Sequence, residues 1–150
     1  MLEDIRMEST KRIESLLMKK TAKYGLHNSF WGDGDELRID ATTQYAKNMD
    51  VLLYCATNVV VILIPLSSHN SYDPTYLDVC DIIYYSTSLS TRGIDTMGYC
   101  SIMCLTKVVP VSDINSKYYI ENAIEEVAAA ADYFKKQLSL YGYDTGGRLA

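Results

Sequence analysis

The chain has 150 residues, is 48% hydrophobic and carries a formal net charge of −5. That length suits one domain with one core, here expected to span 1–150 with its ordered part over about 2–141 and a loose tail over 143–150. No basic cluster exceeds Lys19-Lys20 or Lys135-Lys136 and the pI is near 4.9, so the electrostatic footprint of a phosphate-backbone binder is missing and nucleic acid is not expected as a partner.

The N-terminal MLEDIRMESTKR is charged and has no apolar h-region, which predicts no secretory signal, a cytoplasmic address and reduced thiols. Over residues 2–24, Leu2, Ile5, Ile13, Leu16, Leu17 and Tyr24 fall near helical spacing, with Gly25 placed as a C-cap. Next, Phe30-Trp31 and Leu37 with Ile39 flank a Gly-Asp-Gly-Asp turn between short extended pieces. Trp31 is read as core. Residues 41–48 favour neither helix nor strand.

The run VLLYCATNVVVILIPL over residues 51–66 is broken by Thr57-Asn58 and is shorter than the ~20 apolar residues of a bilayer span, so no membrane association is expected. It reads as a hairpin of two strands, 51–57 and 59–65, whose near-continuous apolarity predicts cover on both faces. SSHNSYDP breaks the pattern. Asp73 is a good N-cap and Pro74 suits the first helical position, opening a helix with Leu77, Cys80, Ile83 and Tyr84 on one face. That helix must end before Gly93. Turn chemistry at Asp95-Thr96-Met97-Gly98 followed by β-formers up to Val111 predicts a second hairpin. The last helix carries Ile120, Ile124, Val127, Ala128, Ala131, Phe134, Leu138 and Tyr141 at helical spacing, with Glu121, Glu125, Asp132, Lys135 and Lys136 on other faces. Gly142 ends it.

The predicted order is helix, three strands, helix, two strands, helix, which is an α+β domain with a mainly antiparallel sheet and packed helices. The strand pair ending in VVVILIPL carries a resemblance to a known family, together with the helix after Asp73-Pro74, the turn Gly93-Ile94-Asp95 then Gly98, the strand SIMCLTKVVPV and the helix IENAIEEVAAAADYFKKQL. Over residues 28–141 the chain resembles the bacterial sensory transduction regulator family, which shares the type III secretion chaperone-like fold. The resemblance implies a small acidic domain without catalytic residues, often dimeric, offering sheet and helix surfaces to a protein partner or an extended client segment.

Candidate chemistry is sparse. Cys100 and Cys104, four residues apart, would be neighbours on a helix, but on one strand they lie about 13 Å apart at ~3.3 Å per residue. Neither a disulfide nor a shared metal reaches across that gap, and buried cysteine as a small hydrophobe is the simpler reading. With four cysteines, at 55, 80, 100 and 104, no disulfide framework is expected. Asp33, Asp35 and Glu36 are oxygen donors of the type that suits Ca²⁺ or Mg²⁺, yet they lack the ~12-residue spread of a calcium loop and read as a solvated turn. His27 and His69, the two histidines, fall in predicted loops without a nucleophile elbow or metal motif around them. Ser68, His69 and Asp73 are close in sequence and support an alternative reading, a small ligand-binding or hydrolytic domain. Among 13 tyrosines, Tyr72, Tyr76, Tyr84, Tyr85, Tyr118 and Tyr119 are the candidate interaction surface, because tyrosine supplies rigid apolar area with a polar tip. The leading expectation is a cytoplasmic, non-catalytic protein-interaction domain, chaperone-like or regulatory, homodimeric, without cofactor or metal.

Overall fold

The computed structural model describes residues 24–27, 36–41, 49–55, 58–114 and 117–145. They form an α+β arrangement: strands β1 (Tyr24–His27), β2 (Glu36–Ala41), β3 (Met49–Cys55) and β4 (Val59–Asn70), helix α1 (Pro74–Tyr85), strands β5 (Ile94–Tyr99) and β6 (Ile102–Pro110), and helix α2 (Lys117–Leu140). The sheet order is β1-β2-β3-β4-β6-β5, and every neighbouring pair is antiparallel. The helix expected over residues 2–24 and the readings of Phe30, Trp31, Asp33 and Asp35 lie outside the described residues, except that Tyr24 and Gly25 belong to β1. Gly25 is therefore a strand residue rather than a helix cap, and His27 ends the same strand instead of lying in a loop. Glu36 opens β2.

β4 is the long strand of the sheet, and it is buried almost without a break from Val60 to Ser67. Alternation sends Val60, Ile62 and Ile64 into the main core with Val51, Leu53, Leu105 and Val109. The opposite face carries a smaller cluster of Leu52, Leu63 and Cys104. Cover on both faces is what its continuous apolarity predicts. The strand does not stop at Pro65, as its composition suggests. Pro65 pairs with Cys104 and Asn70 with Ile102, so five steps along β4 face two along β6. An odd excess reverses which residues point to which side. Leu66 belongs to the main core, and its neighbour Ser67 bonds the hydroxyl of Tyr76 in the same core, so two successive residues face the helices.

α1 begins as its sequence dictates. Asp73 has extended backbone and accepts from the Thr75 N–H at 3.1 Å, with Pro74 in the first turn where no N–H is required. It buries Tyr76, Cys80 and Ile83. Ser86 Oγ and Thr87 Oγ1 then donate to the carbonyls of Ile83 and Tyr84, satisfying the open end of the helix. A short 3-10 turn, Leu89–Arg92, closes on Gly93 at φ 69°, a left-handed conformation that glycine adopts without strain.

The second hairpin turns at a different place from the one its residue types suggest. β5 runs straight through Asp95-Thr96-Met97-Gly98, and the reversal falls on Cys100-Ser101, both at positive φ (51° and 64°). That is the two-residue turn whose twist matches antiparallel strands, here built without glycine. Gly98 instead makes room for the β4–α1 connection, because a Cβ in its place would meet Ser71 Oγ at 3.3 Å. Cys100 is consequently not on the strand with Cys104 but exposed at the hairpin tip.

α2 buries Ile120, Ile124, Val127, Ala128, Ala131, Phe134 and Leu138, as its spacing predicts. Glu121, expected on a solvent face, is buried, and Tyr141, expected in the apolar stripe, is exposed. The helix stops one residue before Tyr141. Gly142 (φ 90°) donates to Ser139 O and Tyr143 to Leu138 O, the paired bonds of a Schellman cap. This cap folds the Tyr143 ring back onto the core.

Phe134 is fully buried and among the largest side chains in the core. Phe134→Ala is expected to lower unfolding free energy by about 3–5 kcal/mol in urea titration, with little change in slope.

Candidate functional site

The exposed apolar side chains of α1 form the first candidate surface. On the helix, the stripe Tyr76, Cys80 and Ile83 faces the core, so Ile82, about 100° away from Ile83, is turned outward, and Tyr85 follows three residues later. Ile82 is 56% exposed and Tyr85 79% exposed, with Asp78 and Asp81 exposed beside them. Tyr85 stacks edge-on against Tyr84, centroids 5.3 Å apart. Tyr84 is half-buried because its hydroxyl donates to Ile94 O at 3.0 Å, tying the end of α1 to β5. Burial raises the Tyr84 phenol above its ordinary value.

β5 is the edge strand of the sheet. In a hairpin closed by Tyr99 and Ile102, residues 94, 96 and 98 aim their backbone groups outward. Two of those groups are already engaged: Ile94 O by Tyr84, and the Thr96 N–H by Asp95 Oδ1 at 2.9 Å. The edge is thus blunted against strand addition, and the apolar side chains of α1 are the more available surface.

The six tyrosines singled out in the sequence divide. Tyr72 is 74% exposed in the β4–α1 connection, and Tyr85 lies on the outer face of α1. Tyr119 lines a hollow of ≈ 240 Å³ with Lys107, Asn122, Ala123 and Glu126. There Lys107 Nζ donates to Glu126 Oε1 at 2.7 Å and to Arg92 O at 2.9 Å. Tyr76 is wholly buried and offers no surface, a correction that follows from its place one turn into α1 on the core stripe. The side chain of Tyr118 lies outside what is described. Ile82 was missed because an isoleucine beside another isoleucine reads as core; only the phase of the helix separates them.

His69 and Asp73, the alternative site, do come together. His69 lies on the end of β4 rather than in a loop, and its Nε2 is 2.6 Å from Asp73 Oδ2. The hydrogen bond from His69 holds the Asp73 carboxyl below the usual carboxylate range. The His69 ring packs against Tyr76 and Tyr143 at centroid distances of 4.8 and 4.9 Å, and those two rings meet each other at 4.9 Å. Ser67 Oγ and Tyr76 OH share a hydrogen bond of 2.7 Å, and burial pushes the Tyr76 phenol well up. The register reversal in β4 places Ser67 and His69 on the helix side, so Ser68 between them points away from the imidazole. Ser67, the serine on the correct side, is buried and engaged. A His–Asp pair orients an imidazole; the flanking serines do not complete a nucleophilic triad with it.

A scan against protein-family models finds no match for the chain, and a search of the curated proteins finds no relative. Among the described residues no group of three or more His, Cys, Asp or Glu could hold a metal ion, and no described helix is long and apolar enough to cross a membrane.

The cysteines are strongly differentiated. Cys55, Cys80 and Cys104 are buried, and desolvation pushes the Cys80 thiol up to about 11 and the Cys104 thiol up to about 12. A chromogenic disulfide reagent at pH 8 is expected to titrate one thiol rapidly in the folded protein and four in denaturant. Cys100→Ser should abolish the rapid phase.

Proposed function

We propose that the chain is a non-catalytic protein-interaction domain, chaperone-like or regulatory, that works as a cytoplasmic homodimer through the outer face of α1. The observation that carries this reading is the exposure of Ile82 and Tyr85 side by side on a helix whose other face is fixed in the core. Apolar side chains of this size, held in place by a rigid helix, lose little conformational freedom on docking. Burying one Ile and one Tyr from each copy contributes on the order of 1.5–3 kcal/mol per side chain. Set against the cost of association, that favours a dimer of modest affinity.

The finer fold assignment belongs to the same reading. From the second strand onward, the run of three strands, a helix opened by Asp73-Pro74, a hairpin and a long C-terminal helix supports a type III secretion chaperone-like fold of the kind found in the sensory transduction regulators. The acidic residues Asp78 and Asp81 on the α1 face add a further expectation: two such faces repel, so the dimer tightens as salt screens them.

Sedimentation equilibrium tests the proposal. The wild-type chain is expected to dimerise, more tightly at 0.5 M than at 0.05 M salt, and Ile82→Glu or Tyr85→Glu to weaken the dimer at least about ten-fold, the equivalent of about 1.4 kcal/mol. A monomer at all accessible concentrations, or a dimer indifferent to both substitutions, would contradict it.

A further inference from the structure

His69 sits where three separate pieces of the chain meet, and this junction is independent of the α1 surface. We propose that His69 is a proton-operated clasp, holding the segment after α2 against the β4–α1 junction more tightly as pH falls through the range in which imidazole titrates. From its own strand, Ser67 Oγ accepts the His69 backbone N–H at 3.2 Å. From α1 come the Asp73 carboxylate at 2.6 Å and the Tyr76 ring. From the segment after α2 comes the Tyr143 ring, with Asp144 next along the chain.

Two of these partners keep a fixed charge while the imidazole changes its own. Asp73 stays an anion at neutral and mildly acid pH, since its carboxyl is held below the usual range by the bond from His69. The Tyr76 phenol is kept neutral by burial. Imidazole ordinarily titrates near pH 6.5. Protonation turns the Asp73 contact into an ion pair and sets a cation against two aromatic rings, both within the ~6 Å over which such attraction acts. The positive end of the α1 dipole opposes this, but Asp73 stands at that end with a full negative charge.

The Tyr143 contact is what couples the proton to the segment. When residues 141–145 lift away, the imidazolium loses one of its two rings, so the closed form binds the proton more tightly and acid favours closure. The Schellman cap makes the closed form a defined state: the Tyr143 N–H is bonded to Leu138 O at 3.1 Å, and opening breaks that bond.

Amide hydrogen exchange of Tyr143 in the full chain, corrected for the intrinsic pH dependence of exchange, reads this directly. Protection is expected to be about three-fold higher at pH 5.5 than at pH 8.0 in the wild type, the range open to a partly exposed pair. His69→Gln should bring that ratio to one, as should Tyr143→Leu, which keeps an apolar contact but removes the ring. Since His69 is half-exposed at a strand end, His69→Asn serves as a second neutral variant should the first fold poorly. A wild-type ratio of one would overturn the proposal. So would a three-fold ratio that survives loss of the imidazole, which would assign the proton to another group, or one that survives Tyr143→Leu, which would remove the ring as the coupling.

Discussion

The pairing of β4 with β6 is the constraint on which the rest depends. Over Val59 to Pro65 the two strands run in simple register and send alternate residues into the main core. Between Pro65 and Asn70 the register shifts, and an odd number of extra residues reverses the sense of alternation. Without that reversal Ser67 and His69 would point away from the helices. With it, Ser67 meets Tyr76, His69 meets Asp73, and the start of α1 is pinned to the end of the strand. The orientation of α1, and therefore which of its residues are left outside, follows from this junction.

Signals that act within a few residues were legible in the sequence. Asp73-Pro74 opens α1 because capping needs only a carboxylate two residues before a free N–H. Gly142 ends α2 because a left-handed residue is required there. The apolar stripe from Ile120 to Leu138 names the buried face because its period is that of the helix. Signals that depend on distant pairing were not legible. Asp95-Thr96-Met97-Gly98 has turn composition, yet β6 pairs along its whole length, and Gly98 serves a close approach to Ser71 that no local pattern announces. The reversal uses Cys100 and Ser101 at positive φ, where L-residues are held only when the surrounding pairing requires it.

The candidate site shows the same division. Tyr72 and Tyr85 were correctly singled out as exposed, but Tyr76, of the same residue type and nearly the same spacing, fills the core. Composition marks aromatic residues; helix phase decides which of them solvent can reach. Ser68, His69 and Asp73 were grouped by sequence proximity, and two of the three do meet, with the serine removed from the group by the register shift that brings His69 in. The thiols follow suit: Cys104 is sealed beneath the sheet surface and Cys100 sits at a tip, so the spacing argument against their pairing reaches a sound result from a strand assignment that holds for only one of them.

A rigid helix that buries Tyr76, Cys80 and Ile83 and leaves Ile82 and Tyr85 outside is therefore the feature that gives this domain a surface to work with. The central claim is that a second copy covers it. Isotope-filtered nuclear Overhauser spectroscopy on a mixture of labelled and unlabelled chains tests that claim most directly. The account predicts intermolecular contacts from the Ile82 methyl groups to the α1 residues of the other copy, Tyr85 among them. Intermolecular contacts confined to other surfaces, or a sample that yields none at millimolar concentration, would contradict it.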